Sequence, residues 1–136
     1  MSQENVELTW QILKAWQRDD LDAWLSMLDP SIAWHTVLER LVEGNESVYR
    51  GHEGMRRLWD VYRTELENFE IEAHDVRDVG DDRVLLLGRF RWRGPASGIE
   101  TKSSLSMCIT LRDGKAIESV DYLSHREGLE AAGLAK

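Results

Sequence analysis

A carboxylic acid on a strand near the end of the chain is the first residue that could do chemistry. Asp121 lies in a predicted strand, residues 115–123, where it shares its side with two aliphatic residues. A carboxyl group with apolar neighbours has a raised pKa unless it is paired, and it can then transfer protons near neutral pH. The same pattern allows two other interpretations, in which Asp121 pairs with Arg89 or Arg91 on a neighbouring strand or faces solvent.

A histidine is the second proton-transferring candidate. His35 lies on a short predicted strand, residues 31–37, and shares its side with Ala33 and Val37. Because imidazole titrates near neutrality, it could act as a general base in a pocket wall. It could equally be a core histidine bonded to a backbone carbonyl. His52, which directly follows Gly51, is either a pocket-rim residue or part of a helix start.

The spacing of histidine and cysteine does not indicate a metal site. The four histidines, at positions 35, 52, 74 and 125, have no short spacing typical of metal ligands. Cys108 is the one cysteine, so it can form neither a disulfide framework nor a cysteine zinc site. We therefore expect a small buried side chain at Cys108, no metal and no cofactor.

Aromatic residues are frequent and could line either a core or a cavity. The chain has six tryptophans in 136 residues, and aromatic rings supply much of the wall of small-molecule sites. Each ring taken singly is also a plausible core residue. The rings that we expect near a cavity are those of Trp34, Tyr49, Trp59, Trp92 and Tyr122.

The charge balance excludes some partners. A formal net charge of −8 argues against nucleic acid, because phosphate binding needs a basic surface. Arg89, Arg91 and Arg93 alternate along one strand and form either a solvated face or an anion site. The polar N-terminus does not resemble a signal peptide, and the longest aliphatic run, Val84–Leu87, cannot span a bilayer. We therefore expect a cytoplasmic protein without a membrane partner.

Hydrophobic periodicity predicts one α+β domain over residues 1–136. Apolar residues recur at helical spacing in two helices before residue 30 and in a third around residues 55–66. Asp113-Gly114 indicates a tight hairpin turn. Residues 38–50 are predicted to be a loop and Gly94–Gly98 a turn. The remaining predicted elements are strands at 69–79, 83–93, 99–112 and 115–123 and a C-terminal helix at 126–132. We expect a strongly bent antiparallel sheet around three helices, with a hollow at its open end.

The order of these elements resembles the nuclear transport factor 2-like (NTF2-like) superfamily and, within it, the SnoaL-like branch. Three segments carry the resemblance: residues 20–35, residues 49–54 (YRGHEG) and residues 111–134, which begin LRDGK. The resemblance implies a cone-shaped fold, a pocket for a small hydrophobic molecule and a homodimer. The superfamily includes isomerases, cyclases, dehydratases, epoxide hydrolases and non-catalytic binders, so it does not fix a reaction.

The resemblance implies roles at particular positions. Alignment with ketosteroid isomerases puts His35 at the position of their general base, but Ile12 replaces their oxyanion tyrosine. Asp121 matches the acid of limonene epoxide hydrolases and the acid/base aspartate of SnoaL-type cyclases. The water-activating aspartate of the hydrolases is absent, because residues 89–91 read Arg-Phe-Arg. The mechanisms of the ketosteroid isomerases and of the limonene epoxide hydrolases are therefore disfavoured.

Two function classes follow from these residues. The first is a cofactor-independent acid–base enzyme of the isomerase or cyclase class, in which His35 or Asp121 moves a proton next to a carbonyl group. The second is a non-catalytic binding or dimerisation module. Residues 34, 49, 52, 59, 89, 91, 92 and 122 are the predicted substrate contacts.

Overall fold

The structure, a computed structural model, describes residues 2–41, 44–93 and 98–134. The helices in this part of the chain are α1 Ser2–Gln17, α2 Leu21–Ser26, α3 Leu38–Leu41, α4 Gly51–Thr64 and α5 His125–Ala131. The strands are β1 Leu28–His35, β2 Val48–Arg50, β3 Glu67–Gly80, β4 Arg83–Arg93, β5 Glu100–Arg112 and β6 Lys115–Tyr122.

The six described strands form one sheet in the order β2-β1-β6-β5-β4-β3. β1 pairs with β6 in parallel, whereas the other neighbouring pairs are antiparallel. The prediction of a purely antiparallel sheet is therefore wrong at this pair. A parallel pair needs a long crossover connection, and residues 36–114 supply it by passing through α4 and the β3–β5 meander.

Tight turns join the long strands. Asp113 and Gly114 have φ angles of 52° and 76°, which confirms the hairpin turn predicted between β5 and β6. Asp81 and Asp82, with φ angles of 55° and 60°, make the corresponding turn between β3 and β4. The turn predicted at residues 94–98 falls mostly on residues 94–97, outside the described residues.

The segment predicted as a loop contains two short elements. The Thr36 hydroxyl accepts a hydrogen bond of 3.1 Å from the backbone N–H of Leu38, at the start of α3. β2 pairs with residues 33–35 of β1 and extends the sheet by one strand. The second helix, α2, ends at Ser26. Pro30 therefore lies within β1 and is not the residue that terminates α2.

The main core lies between the helices and the inner face of the sheet. Alternation along the strands turns Leu86 of β4 and Met107 of β5 inward, and both are buried. α4 contributes Leu58 and Tyr62, and α1 contributes Ile12. Among the described residues, no helix is long and apolar enough to cross a membrane.

α5 covers part of the outer face of the sheet. The Ser124 hydroxyl caps it by accepting a hydrogen bond of 3.1 Å from the N–H of Glu127. A Cβ atom at Gly128 would lie 2.5 Å from Cβ of Ser106 on β5, so glycine permits this close packing. Leu85, Leu87 and Ala132 form a second, smaller core beneath the helix.

Candidate functional site

A small cavity lies inside the cone, between the helices and the inner face of the sheet. Its volume is about 40 Å³, which leaves room for a few water molecules at most. Apart from one carboxyl group and two hydroxyl-bearing residues, its walls are apolar. The lining residues are Thr9, Ile12, Leu13, Trp16, Trp24, Trp34, Val37, Leu58, Tyr62, Phe69, Ile71, Leu86, Phe90, Leu105, Met107, Ile109 and Asp121.

Asp121 brings the carboxyl group to this cavity from β6. It lies opposite Met107 of β5 on the inner face of the sheet. The indole Nε1 of Trp34 donates a hydrogen bond of 2.9 Å to Oδ2, and the Ser119 hydroxyl donates one of 3.3 Å to Oδ1. The parallel register pairs Trp34 directly with Ser119, so that both donors reach the same carboxyl group.

The surroundings of Asp121 raise the pKa of its carboxyl group towards neutrality. The residue as a whole is only half-buried, but the carboxyl group lies among apolar cavity-lining side chains. This burial raises its pKa to about 7, against the opposing effect of the hydrogen bonds from Trp34 and Ser119. Both the acid and the carboxylate are therefore accessible near neutral pH, as proton transfer requires.

The two hydroxyl groups of the cavity have partners in the protein. The Thr9 hydroxyl donates a hydrogen bond of 2.8 Å to the carbonyl oxygen of Asn5 within α1. The Tyr62 hydroxyl lies 3.1 Å from the Thr36 hydroxyl. Of the described residues that line the cavity, only Asp121 has a side chain that titrates near neutral pH.

His35 does not reach the cavity. Because neighbouring residues of a strand point to opposite faces, the inward position of Trp34 turns His35 outward. Its Nε2 lies 3.3 Å from Oε2 of Glu118, and its side chain is 36% exposed. The predicted pocket-wall position is wrong, and so is the alternative of a core histidine.

Two other predicted substrate contacts have structural roles. Tyr49 is buried beside Trp34 in the β1–β2 pair, and the Arg57 guanidinium lies 5.9 Å from its ring. His52 donates a hydrogen bond of 2.7 Å from Nε2 to the carbonyl oxygen of Leu28, which ties the start of α4 to β1. Neither residue lines the cavity.

Three predicted aromatic contacts also lie away from the cavity. Trp59 is buried behind Trp16 and Trp24, with ring centroids 5.3 and 5.2 Å away. Trp92 is half-buried near the end of β4, and its buried Nε1 has no hydrogen-bond partner in the described part of the chain. Tyr122 follows Asp121 directly and therefore lies on the outer face, paired with Ser106.

The predicted arginine contacts lie on the outer surface. Arg89 donates a hydrogen bond of 3.0 Å to Glu72, and Arg91 pairs with Glu70. Both arginines are exposed. The ion pair predicted between one of them and Asp121 is wrong, because the alternation along β4 points them away from the inner face. Of the two interpretations of these arginines, a solvated strand face is the one that fits the structure.

Trp34 and Asp121 are thus the only two predicted site residues that line the cavity in the described structure. The sequence patterns did not indicate that the rings of Trp16, Trp24 and Phe90 line the cavity. Trp16 and Trp24 belong to apolar helical stripes, which indicate burial but do not distinguish a packed core from a cavity wall.

A wider cleft lies next to the cavity. Its volume is about 470 Å³, within the range of small-molecule sites. Five of its lining side chains are apolar or aromatic, and five are polar or charged. The lining residues are Trp16, Gln17, Asp19, Tyr62, Arg63, Leu66, Asn68, Phe69, Glu70 and Ile71. In the described ranges, no group of three or more His, Cys, Asp or Glu side chains could hold a metal ion.

The helices and the mixed sheet form a cone around an apolar cavity. This arrangement is the NTF2-like fold. The sequence profile of the SnoaL-like domain matches residues 11–119. The chain therefore belongs to the SnoaL-like domain family, which confirms the predicted resemblance.

Several solved structures share this fold. An NTF2-like protein of unknown function from Burkholderia pseudomallei has a TM-score of 0.78 at 18% identity, over 93% of this chain and 95% of that one. TerC, co-crystallized with polyporic acid, has a TM-score of 0.77 at 21% identity, over 96% and 98%. An LEH-like epoxide hydrolase from M. tuberculosis has a TM-score of 0.71 at 17% identity, over 98% and 94%. At these identities the likeness shows the fold alone. No curated protein sequence matches this chain significantly.

Proposed function

We propose that this protein is a cofactor-independent acid–base enzyme that acts on a small hydrophobic carbonyl compound, with Asp121 as its proton-transferring group. One observation carries this proposal. Asp121 presents a carboxyl group to an otherwise apolar cavity, where burial raises its pKa to about 7. A carboxyl group in that state can give up and take back a proton under physiological conditions.

The proposed chemistry is proton transfer next to a carbonyl group. The carboxylate of Asp121 takes a proton from the carbon adjacent to the carbonyl, and the resulting acid returns it to another atom of the same compound. Trp34 and Ser119 hold the carboxyl group in one orientation through hydrogen bonds of 2.9 and 3.3 Å. His35 has no part in this proposal because it lies on the outer face beside Glu118.

The comparisons support the general class of ligand. A protein of the same fold was co-crystallized with polyporic acid, and another is an LEH-like epoxide hydrolase. Both descriptions concern small organic molecules. The substrate of this chain is proposed from its own cavity, whose apolar walls favour an uncharged compound with a single polar group facing Asp121.

Hydrogen–deuterium exchange tests the proposed chemistry with model compounds in place of the natural substrate. A panel of uncharged cyclic ketones is incubated with the protein in deuterated buffer, and exchange at the carbon next to the carbonyl is followed by NMR. We expect exchange above the buffer rate for the compounds that bind, and its loss in Asp121→Asn.

Glu118→Gln is the matched control, because it changes a carboxylate on the same strand that lies on the outer face. It should keep the exchange activity. If Asp121→Asn and the wild type exchanged every bound ketone equally, or if the measured pKa of Asp121 lay below about 5, the assignment would fail.

A non-catalytic binding module is the second candidate. The small volume of the cavity, about 40 Å³, favours this candidate. So does the presence of a single group that titrates near neutral pH among the described lining residues, because many acid–base enzymes use two. In this case a ketone would bind without exchange in both the wild type and Asp121→Asn.

A homodimer remains a prediction for either candidate. The outer face of the sheet carries Val48, Val120 and Tyr122. These residues are half-buried and do not belong to the small core beneath α5. Sedimentation velocity at micromolar concentration should give the mass of two chains, and Val120→Glu should shift the equilibrium towards the monomer. A monomer at all concentrations would contradict this prediction.

A further inference from the structure

The inner cavity and the outer cleft adjoin at a wall of shared side chains. Trp16, Tyr62, Phe69 and Ile71 line both spaces. The cavity of about 40 Å³ is too small for a ring compound, whereas the cleft of about 470 Å³ is large enough. A compound that reaches Asp121 from the cleft must therefore displace part of this wall.

Trp16 is the largest side chain of this wall and, with Phe69 and Ile71, one of its three half-buried members. Tyr62 is buried, and its hydroxyl lies 3.1 Å from Thr36. Ile71 belongs to the β3–β4 pair, and its carbonyl oxygen accepts a hydrogen bond of 3.0 Å from Gln17. Trp16 lies in the last turn of α1 and is only half-buried.

The Trp16 ring closes the wall by contacts with other rings. Its centroid lies 5.2 Å from that of Tyr62 and 6.4 Å from that of Phe69, both at steep interplanar angles. It also lies 5.3 Å from Trp24, which lines the inner cavity. The Trp16 indole therefore lies where the cavity and the cleft meet.

Arg63 lies against the indole on the cleft side, between Trp16 and Trp59. Its guanidinium carbon lies 4.5 Å from the Trp16 ring centroid and 3.5 Å from that of Trp59, and its Nη2 donates a hydrogen bond of 2.8 Å to the Trp16 backbone carbonyl oxygen. Asp19 accepts a hydrogen bond of 3.0 Å from Nε of Arg63. The Asp19 side chain is 77% exposed and that of Arg63 only 27% exposed, so the carboxylate fixes the guanidinium from the solvent side.

We propose that Trp16 is a gate between the cleft and the cavity, and that Arg63 and Asp19 keep it closed until an uncharged, apolar ring compound displaces the indole. The bound compound then occupies the inner part of the cleft and the enlarged cavity beside Asp121. This inference rests on the proposed function in taking the cavity as the ligand site. It is tested by binding alone, so a failure of proton transfer would not contradict it.

The test uses fluorobenzene as an uncharged ring probe, with its association rate measured by fluorine NMR exchange. Trp16→Ala should raise the association rate about tenfold, which corresponds to a barrier lower by about 1.4 kcal/mol. Trp10→Ala is the matched control, because Trp10 is a half-buried tryptophan of the same helix that lines neither the cavity nor the cleft. It should leave the rate within about twofold of the wild type.

A change of less than about threefold in Trp16→Ala, or an equal change in Trp10→Ala, would overturn the gate. Methyl shifts at Leu86 and Met107, which line the cavity, must accompany binding. Binding without these shifts, or no binding of fluorobenzene to any of the three proteins, would also overturn it.

A second pair of variants tests the gate without removing a large core ring. Asp19→Asn should weaken the hold on Arg63 and raise the association rate about threefold. Asp22→Asn makes the same charge change at an exposed position of α2 and should have no effect. Equal rates in these two variants would overturn the role of Arg63 and Asp19, even if Trp16→Ala failed to fold.

Discussion

The carboxyl group of Asp121 should make the stability of the protein depend on pH. Its pKa is near 3.8 in an unfolded chain and about 7 in the folded protein. The folded state therefore keeps the proton to higher pH. The resulting stabilisation is fully present below about pH 4 and is lost as the pH rises through 7.

Asp121→Asn removes this titration. Because one pKa unit corresponds to about 1.4 kcal/mol, the variant should gain stability relative to the wild type between pH 4 and 7.5, by about 4 kcal/mol at most. Urea denaturation at several pH values measures this difference. Asp22→Asn, at an exposed position, provides the baseline. Parallel stability curves for Asp121→Asn and the wild type would contradict a raised pKa.

Trp34 should set how far the pKa of Asp121 rises. Its Nε1–H donates to Oδ2 and stabilises the carboxylate, so Trp34→Phe should raise the pKa of Asp121 further above 7. Carbon NMR of the labelled aspartate measures the shift. Trp92→Phe is the control, because the Nε1 of Trp92 has no partner in the described structure and its removal breaks no such bond. An unchanged or lower pKa in Trp34→Phe would show that the hydrogen bond has no electrostatic role.

At the scale of the elements, α5 depends on one glycine. A Cβ atom at Gly128 would overlap the Ser106 side chain on β5, so Gly128→Ala should push α5 away from the sheet and destabilise the protein by about 1–3 kcal/mol. Thermal or urea denaturation measures the loss. The double variant Gly128→Ala, Ser106→Gly removes the overlapping atoms and should recover part of it. Lack of any recovery would indicate that helix position is not the cause.

Most elements could be predicted because their signals are local. Helical stripes in α1 and α4 and the Asp113-Gly114 turn depend on residues close together in the sequence, and the structure confirms them. The parallel pairing of β1 with β6 could not be predicted in this way. It depends on contacts between residues such as Trp34 and Ser119, far apart in the chain.

The candidate site was predictable only in part for the same reason. The apolar neighbours of Asp121 indicated a raised pKa, and the structure places the residue in the cavity. On β1, only the position of His35 was predicted wrongly, because Trp34 and His35 are both plausible inward residues and alternation alone does not say which of them faces the core. The partner of β1 decides this, since Ser119 on the inner face of β6 pairs with Trp34.

For the whole molecule, the balance between packing and space determines what the cone can do. Trp24, Trp34 and Trp59 are buried in the interior, and the remaining cavity measures about 40 Å³. The larger open volume lies in the adjoining cleft. A substrate-sized space near Asp121 therefore requires side-chain movement, and binding measurements test that movement independently of the proposed chemistry.

The parallel β1–β6 pair also has a consequence for how the protein folds. The indole of Trp34 and the carboxyl group of Asp121 are 87 positions apart and meet only when the two halves of the chain assemble. Contacts this distant in sequence form slowly.

At pH 6 the unfolded chain carries Asp121 as a carboxylate, whereas the native protein holds it mostly protonated. Refolding at that pH should therefore consume a proton, and a pH-indicator dye in a stopped-flow experiment would record it. Asp121→Asn should fold without that uptake.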